Sequence, residues 1–243
     1  METSTGGRDE AFPETIWSSI LSATDSKARQ ERLKQLCALY WRPVYKFVRV
    51  SWKKNIEEAK DLTQEFFAHV MESDLLGKYQ PQSGRFRGFL KASLKNFLAE
   101  THRDNTRLKR GGGKVIVPLN VEGVETDNFL KDSQSLTAEE LYDREWAEGL
   151  MADCVQKLRA VLIEEGKEKY FQAFERYDLC GDERPTYPQI AQDLGLSVHD
   201  VRNYLVQARA RLKELVVTRI REYVTSRSEL AQELSELSDL FRR

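Results

Sequence analysis

Apolar positions recur at three- and four-residue spacing along most of this chain, a pattern that predicts amphipathic helices. Residues 1–13 read as a loose leader. Pro13 then opens a short helix with Ile16, Trp17, Ile20 and Leu21 on one face. Asp25 or Ser26 is placed to cap the next helix, from about residue 27. Its stripe of Leu33, Leu36, Cys37 and Tyr40 resumes as Val44, Phe47, Val48 and Trp52 beyond Pro43, where a kink or restart is expected. A third helix over residues 56–71 turns Ala59, Leu62, Phe66, Phe67 and Val70 inward. Asp61, Gln64, Glu65 and Ala68 fall elsewhere on the wheel, with Thr63 near the boundary. After a turn at Leu76 and Gly77, a long helix is expected from near Phe86 towards Arg110, with Gly111, Gly112 and Gly113 as its stop.

Residues 114–136 read as a linker, with Pro118, Gly123 and several Asp, Asn and Ser. Helices resume at Thr137-Ala138-Glu139-Glu140, a capping signature, and run through Trp146, Leu150, Val155, Leu158 and Leu162 until Gly166. Another helix carries Tyr170, Phe171, Phe174 and Tyr177 and ends at Cys180-Gly181-Asp182. The fold class is therefore all-α. Two helical domains, residues 14–113 and 137–225, are joined by the linker. An amphipathic tail over residues 226–243 carries Leu230, Leu234, Leu237 and Phe241.

Charge changes this picture more by its distribution than by its sum, which is -1 over 243 residues. Residues 78–114 hold ten Lys/Arg against Glu100 and Asp104, and residues 198–221 hold six against Asp200 and Glu214. Residues 55–76 hold six acids against Lys60. Two basic zones, one preceded by an acidic one, suit two polyanion surfaces and a separate protein partner. Cys37, Cys154 and Cys180 have neither disulfide nor metal spacing and read as reduced, mostly buried thiols of a cytoplasmic protein. Arg8, Asp9 and Glu10 interrupt any signal peptide, and no stretch has the length and apolarity for membrane insertion.

Residues 186–215 carry the most chemistry. Thr186 is placed to cap a short helix holding Ile190, Ala191 and Leu194. Gly195-Leu196-Ser197 makes a tight turn. Ser197 and Asp200 start a second helix through Val201, Leu205, Ala208 and Leu212. This is the layout of a helix-turn-helix, whose second helix fits the major groove of DNA. Its outward residues include His199, Arg202, Asn203, Val206 and Gln207. Arg, Asn and Gln pair with guanine and adenine edges, and Arg209, Arg211 and Lys213 can meet phosphates. The bland alternative is a helical hairpin with a polar outer face.

The run Tyr187-Pro188-Gln189-Ile190-Ala191-Gln192-Asp193-Leu194-Gly195-Leu196-Ser197, followed by Val201, Arg202, Leu205, Ala208, Arg209 and Leu212, resembles region 4 of bacterial sigma factors of the extracytoplasmic-function type. Upstream, Tyr40-Trp41-Arg42-Pro43-Val44-Tyr45 and Ala59-Lys60-Asp61-Leu62-Thr63-Gln64-Glu65-Phe66-Phe67 resemble the start of region 2. Gly84-Arg85-Phe86-Arg87-Gly88-Phe89-Leu90 with Asn96-Phe97-Leu98 resembles its promoter-reading part. Lys109-Arg110-Gly111-Gly112-Gly113 resembles the end of that region in a subgroup linked to Ser/Thr kinases. The resemblance spans about residues 14–225, with both regions in the family's order.

The resemblance implies a subunit with core RNA polymerase and promoter DNA as partners, with no catalytic residues, metal or cofactor. Asp61, Gln64 and Glu65 match polymerase-contact positions. Lys91, Lys95, Asn96, His102, Arg103 and Arg107 match the surface that holds the melted promoter element, with Asn96 facing the base. Phe86 and Phe89 are expected mostly in the core. His199, Arg202, Asn203, Val206, Gln207 and Arg209 match the reader of the upstream element. Many relatives have a basic residue where this chain has Tyr204, Val206 or Gln207, so a different DNA sequence is expected. Many have an acid at Lys60. Thr63 stands in the middle of that patch and is a candidate phosphorylation switch: a phosphoryl group adds about -1.5 to -2 charge. The alternative is an ordinary helix residue. A Ser/Thr kinase or an anti-sigma protein is a further candidate partner.

Two other readings compete. A two-domain helix-turn-helix regulator that never joins polymerase accounts for residues 186–215 but not for the basic zone following an acidic one. An enzyme is disfavoured: His69, His102 and His199 fall in separate segments, and Gly111, Gly112 and Gly113 lack the Lys-Ser/Thr ending of a phosphate-binding loop.

Overall fold

Every regular element among the described residues is helical, as the spacing of apolar positions predicts. The computed structural model describes residues 15–22, 25–80, 84–107, 136–181 and 183–241. The expected leader, the three-glycine stop and nearly all of the expected linker lie outside them. In chain order the helices are α1 (Ile16–Ser22), α2 (Ser26–Ser51), α3 (Ile56–Glu72), α4 (Phe86–Arg107), α5 (Ala138–Glu164), α6 (Glu168–Asp178), α7 (Tyr187–Leu194), α8 (Val198–Arg221) and α9 (Arg227–Leu240), with a 3-10 turn at Leu76–Lys78.

Helix starts follow their caps. Asp25, not Ser26, caps α2, accepting from the Ala28 amide at 3.1 Å. Asn55 caps α3 in a reciprocal box: its side chain accepts from Glu58 N at 2.9 Å, and Asn55 N donates to Glu58 Oε2 at 3.3 Å. Thr137 and Glu140 form the expected box at α5. The restart expected at Pro43 is absent, because α2 runs unbroken through it. A proline removes one ladder hydrogen bond. Around it Tyr40, Trp41, Val44, Tyr45, Phe47 and Val48 are all buried, and their burial offsets that loss.

The chain divides into two compact units, Met1–Glu145 with Ile220–Arg243, and Trp146–Arg219. The division differs from the expected one at residues 114–136. The first two turns of α5 belong to the first unit, where Tyr142 meets Phe47 edge-on at 6.3 Å. The expected tail belongs there too. α5 is apolar around much of its circumference, burying Leu141, Tyr142, Trp146, Ala147, Leu150, Cys154, Leu158 and Leu162, so its sequence could not say which neighbours take which turn.

The first unit has an aromatic core. Trp41 stacks on Phe67 at 5.8 Å, and Phe86 receives Tyr40 and Tyr79 edge-on at 6.0 and 5.3 Å. Such pairs add about 0.5–1.5 kcal/mol each beyond burial. The second unit packs Leu158 and Leu162 of α5 and Phe171 and Phe174 of α6 against Ile190 and Ala191 of α7 and Val201, Leu205 and Ala208 of α8. Cys37 and Cys154 are buried, and burial pushes the Cys37 thiol up to about 12. Among the described residues, no helix is long and apolar enough to cross a membrane.

Candidate nucleic-acid interface

In the second unit, α7, a three-residue turn and α8 assemble as the spacing predicts. Gln189 Oε1 accepts from Thr186 N and Oγ1 at 2.8 and 2.9 Å, which fixes the start of α7. Gly195 ends it with φ 61° and ψ 47°, a left-handed conformation that a Cβ disfavours. That conformation lets Leu196 N reach back to Ala191 O at 2.9 Å. The chain then restarts at once: Ser197 Oγ donates to Asp200 Oδ2 at 2.7 Å and accepts from Asp200 N at 3.1 Å. The Ser197 hydrogen bonds hold the Asp200 carboxyl below its usual range. α6 locks the corner from outside, with Lys169 Nζ donating to Leu194 O at 3.0 Å and Arg176 bridging Asp193.

With Val201, Leu205 and Ala208 turned inward, α8 presents His199, Arg202, Asn203, Val206, Gln207 and Arg209 to solvent. Val206 is 64% exposed. This is the outer face expected from the sequence, with one difference. Arg209 is engaged by a bidentate pair to Asp178, Nε to Oδ2 and Nη2 to Oδ1 both at 2.9 Å, and lies over the Tyr177 ring at 5.5 Å. Arg202 lies over Tyr187 at 6.0 Å, and Tyr187 packs against Tyr177 at 4.9 Å. Tyr204, noted above as a departure, stacks face to face on Tyr170 with centroids 3.8 Å apart. Its ring is occupied in joining α8 to α6.

In the first unit, α3 presents Asp61 exposed, with Gln64 and Glu65 half-buried. Asp61 and Glu65 line a pocket of about 290 Å³ together with Trp52 and His102, so residues expected on two separate surfaces share one wall. The His102 ring meets Trp52 edge-on at 5.0 Å.

Thr63 departs from expectation. It is 0% exposed, and its hydroxyl donates to Ala59 O at 2.7 Å. Thr63 replaces Leu62 on the inner face, and Leu62 is only half-buried. Thr63, placed near the boundary from the sequence, is thus a core position of α3. A phosphoryl group there requires α3 to leave its packing.

The basic face of α4 is also not open as expected. Lys91 Nζ pairs with Asp143 at 2.8 Å and lies over the Tyr142 ring, and Lys95 pairs with Glu139 at 2.5 Å. The Lys95 hydrogen bond holds the Glu139 carboxyl below its usual range. Asn96 and Arg103 are exposed, Arg103 donating to Ala99 O at 3.2 Å. Arg107 ends α4, and its side chain lies outside the described residues.

Sequence reasoning missed the centre of this face. Arg87, 4% exposed, reaches Asp143 at 3.0 Å, Glu233 at 3.0 Å and Glu236 at 2.5 Å. Burial pulls its guanidinium down, but the Glu233 and Asp143 carboxylates outweigh that and raise it above its usual value. Arg85 pairs with the same Glu236, and Tyr79 donates to Gly84 O at 3.0 Å. Lys78, Tyr79, Arg85 and Phe89 line a second pocket of about 340 Å³. The signal was present: residues 87, 91 and 95 form an i, i+4, i+8 row of cations on α4. Among the described residues, no group of His, Cys, Asp and Glu is arranged to hold a metal ion. Compared with models of protein families, with curated proteins and with solved structures, the chain matches none.

Proposed function

We propose that this chain is a sigma factor of the extracytoplasmic-function type, a non-enzymatic cytoplasmic subunit that joins core RNA polymerase, directs it to promoters and helps melt them. One observation carries the reading: a helix-turn-helix closed by a left-handed glycine, with Arg202, Asn203, Val206 and Gln207 exposed on its second helix. A major groove admits such a helix, and these side chain types distinguish base edges. Two features of the first unit support it further. α3 offers Asp61 and Glu65 on the wall of a pocket, with Gln64 half-buried on the same helix, a polar patch suited to a basic helix of polymerase. α4 carries a row of cations suited to a displaced single strand.

The test is a pull-down of the purified chain with core polymerase, followed by run-off transcription from genomic fragments. Stable binding with new start sites is the expected result. Tight sequence-specific binding to duplex DNA by the chain alone, with no polymerase binding, overturns the proposal in favour of a helix-turn-helix regulator. One observation favours that second reading: Lys91 and Lys95 are held by acids of the same chain, whereas the outer face of α8 is exposed.

A further inference from the structure

The carboxylates that hold the cations of α4 come from two short stretches of chain. Glu139 and Asp143 stand one turn apart on α5, and Glu233 and Glu236 stand one turn apart on α9. α9 does not pack as an ordinary apolar tail. Glu229, Glu233 and Leu237 are its buried positions, and Phe241, an apolar position of the tail, is 54% exposed. Glu233 is 1% exposed and meets both Arg85 and Arg87. Glu229 lies against Tyr79, whose phenol is raised by burial and then by that carboxylate. The helix thus places its acids on three residues at the head of α4.

Acids one turn apart on one helix face present negative charges in a row, as a nucleic-acid backbone presents phosphates. We propose that α9 and the first two turns of α5 are an internal polyanion that occupies the nucleic-acid surface of α4 and is displaced when a single strand binds there. The inference rests on α4 being such a surface, the reading proposed above. Arg87 is the anchor of the cover, and Arg85, Lys91 and Lys95 are the cations it shields. Displacement exchanges carboxylate partners for phosphates, so the buried cations keep a counter-charge throughout. The bound strand and the docked helix exclude each other, so each weakens the other by the same factor.

The test uses the full chain and a fluorescein-labelled, mixed-sequence, single-stranded oligodeoxynucleotide. Hydrogen exchange along α9 is followed with and without the probe, and probe affinity is measured for wild type, Glu236→Lys, the milder Glu236→Gln, and Asp239→Lys. Asp239 is exposed near the end of the same helix, so its variant matches the charge change away from the cluster. The expected result has three parts. The probe speeds exchange in α9, the Glu236 variants bind about fivefold tighter or more, and Asp239→Lys stays near wild type. Binding to wild type with α9 exchange unchanged, and with Glu236→Lys no tighter than Asp239→Lys, overturns the inference and leaves the proposed function standing. No binding by any variant, even where exchange shows α9 released, overturns the inference through its premise. Transcription with core polymerase then judges the function separately.

Discussion

Arg87 and Glu233 lie 146 positions apart in sequence, yet their side chains meet at 3.0 Å with almost no exposure to solvent. A buried pair of this kind resists the loss of either partner more than it adds to stability, because the survivor is left as an uncompensated charge. Arg87→Met is therefore expected to destabilise the first unit by about 3–5 kcal/mol. Adding Glu233→Leu to it is expected to recover much of the loss. Denaturant unfolding of the two single variants and the double variant measures this as a coupling energy. Additive losses would show that Arg87 is held by Asp143 and Glu236 alone.

Thr63 gives a second test. Its side chain is fully buried and its hydroxyl is satisfied within the helix by Ala59 O. Valine has nearly the same shape, so Thr63→Val is expected to change stability by less than about 1 kcal/mol. Thr63→Glu places an unpaired charge among Ala59, Phe66 and Phe67 and is expected to lose about 3–5 kcal/mol. Melting temperatures of the two variants decide it. A glutamate variant as stable as wild type would restore Thr63 to the surface, and with it the simple picture of a phosphate completing an acidic patch.

The contrast between Thr63 and α8 marks how far sequence could be read. At α8 the local rules agree: Ser197 and Asp200 cap, Gly195 turns, and every apolar position of the period faces inward, so the outer face follows without ambiguity. On α3, at 100° per residue, Thr63 falls between Ala59 and Phe67 in the middle of the buried arc, and Leu62 lies at its edge. Hydropathy favours burying leucine, but a threonine that bonds its own helix carbonyl buries at little loss. The ion cluster was illegible for another reason. Glu233 reads as a solvent-facing residue of an amphipathic tail until Arg85 and Arg87, from a distant stretch of the chain, are placed beside it. At Pro43 the restart, one of two expected outcomes, does not occur, because a proline within a helix is tolerated where burial on both sides outweighs one missing hydrogen bond.

The cap of α8 yields a pH dependence. The folded pKa of Asp200 lies below its ordinary value of 3.8, so its contribution is fully present above that value and is lost as pH falls through the folded pKa. Asp200→Ala is expected to speed hydrogen exchange in the first turn of α8 at neutral pH. The difference from wild type is expected to hold down to 3.8 and to vanish only as pH falls through the lower folded pKa. A difference that persists unchanged in acid would mean that the Ser197 hydroxyl, and not the carboxylate, holds the turn.

Neighbouring residues of α8 are expected to separate recognition from folding. Arg202 is exposed and only grazes the Tyr187 ring, whereas Tyr204 is stacked on Tyr170. On the proposed function, Arg202→Ala leaves the melting temperature nearly unchanged and weakens promoter use by about 1–3 kcal/mol, relaxing the preference at one base pair. Tyr204→Ala removes a ring contact between α6 and α8, lowers stability, and leaves the preferred promoter sequence as it was. Run-off transcription across a set of single-base promoter variants reads the first effect, and thermal unfolding reads the second. If Tyr204→Ala changed which base is preferred while the fold stayed intact, the ring would belong to the reading surface, and its stack on Tyr170 would be a resting position from which it swings to meet the groove.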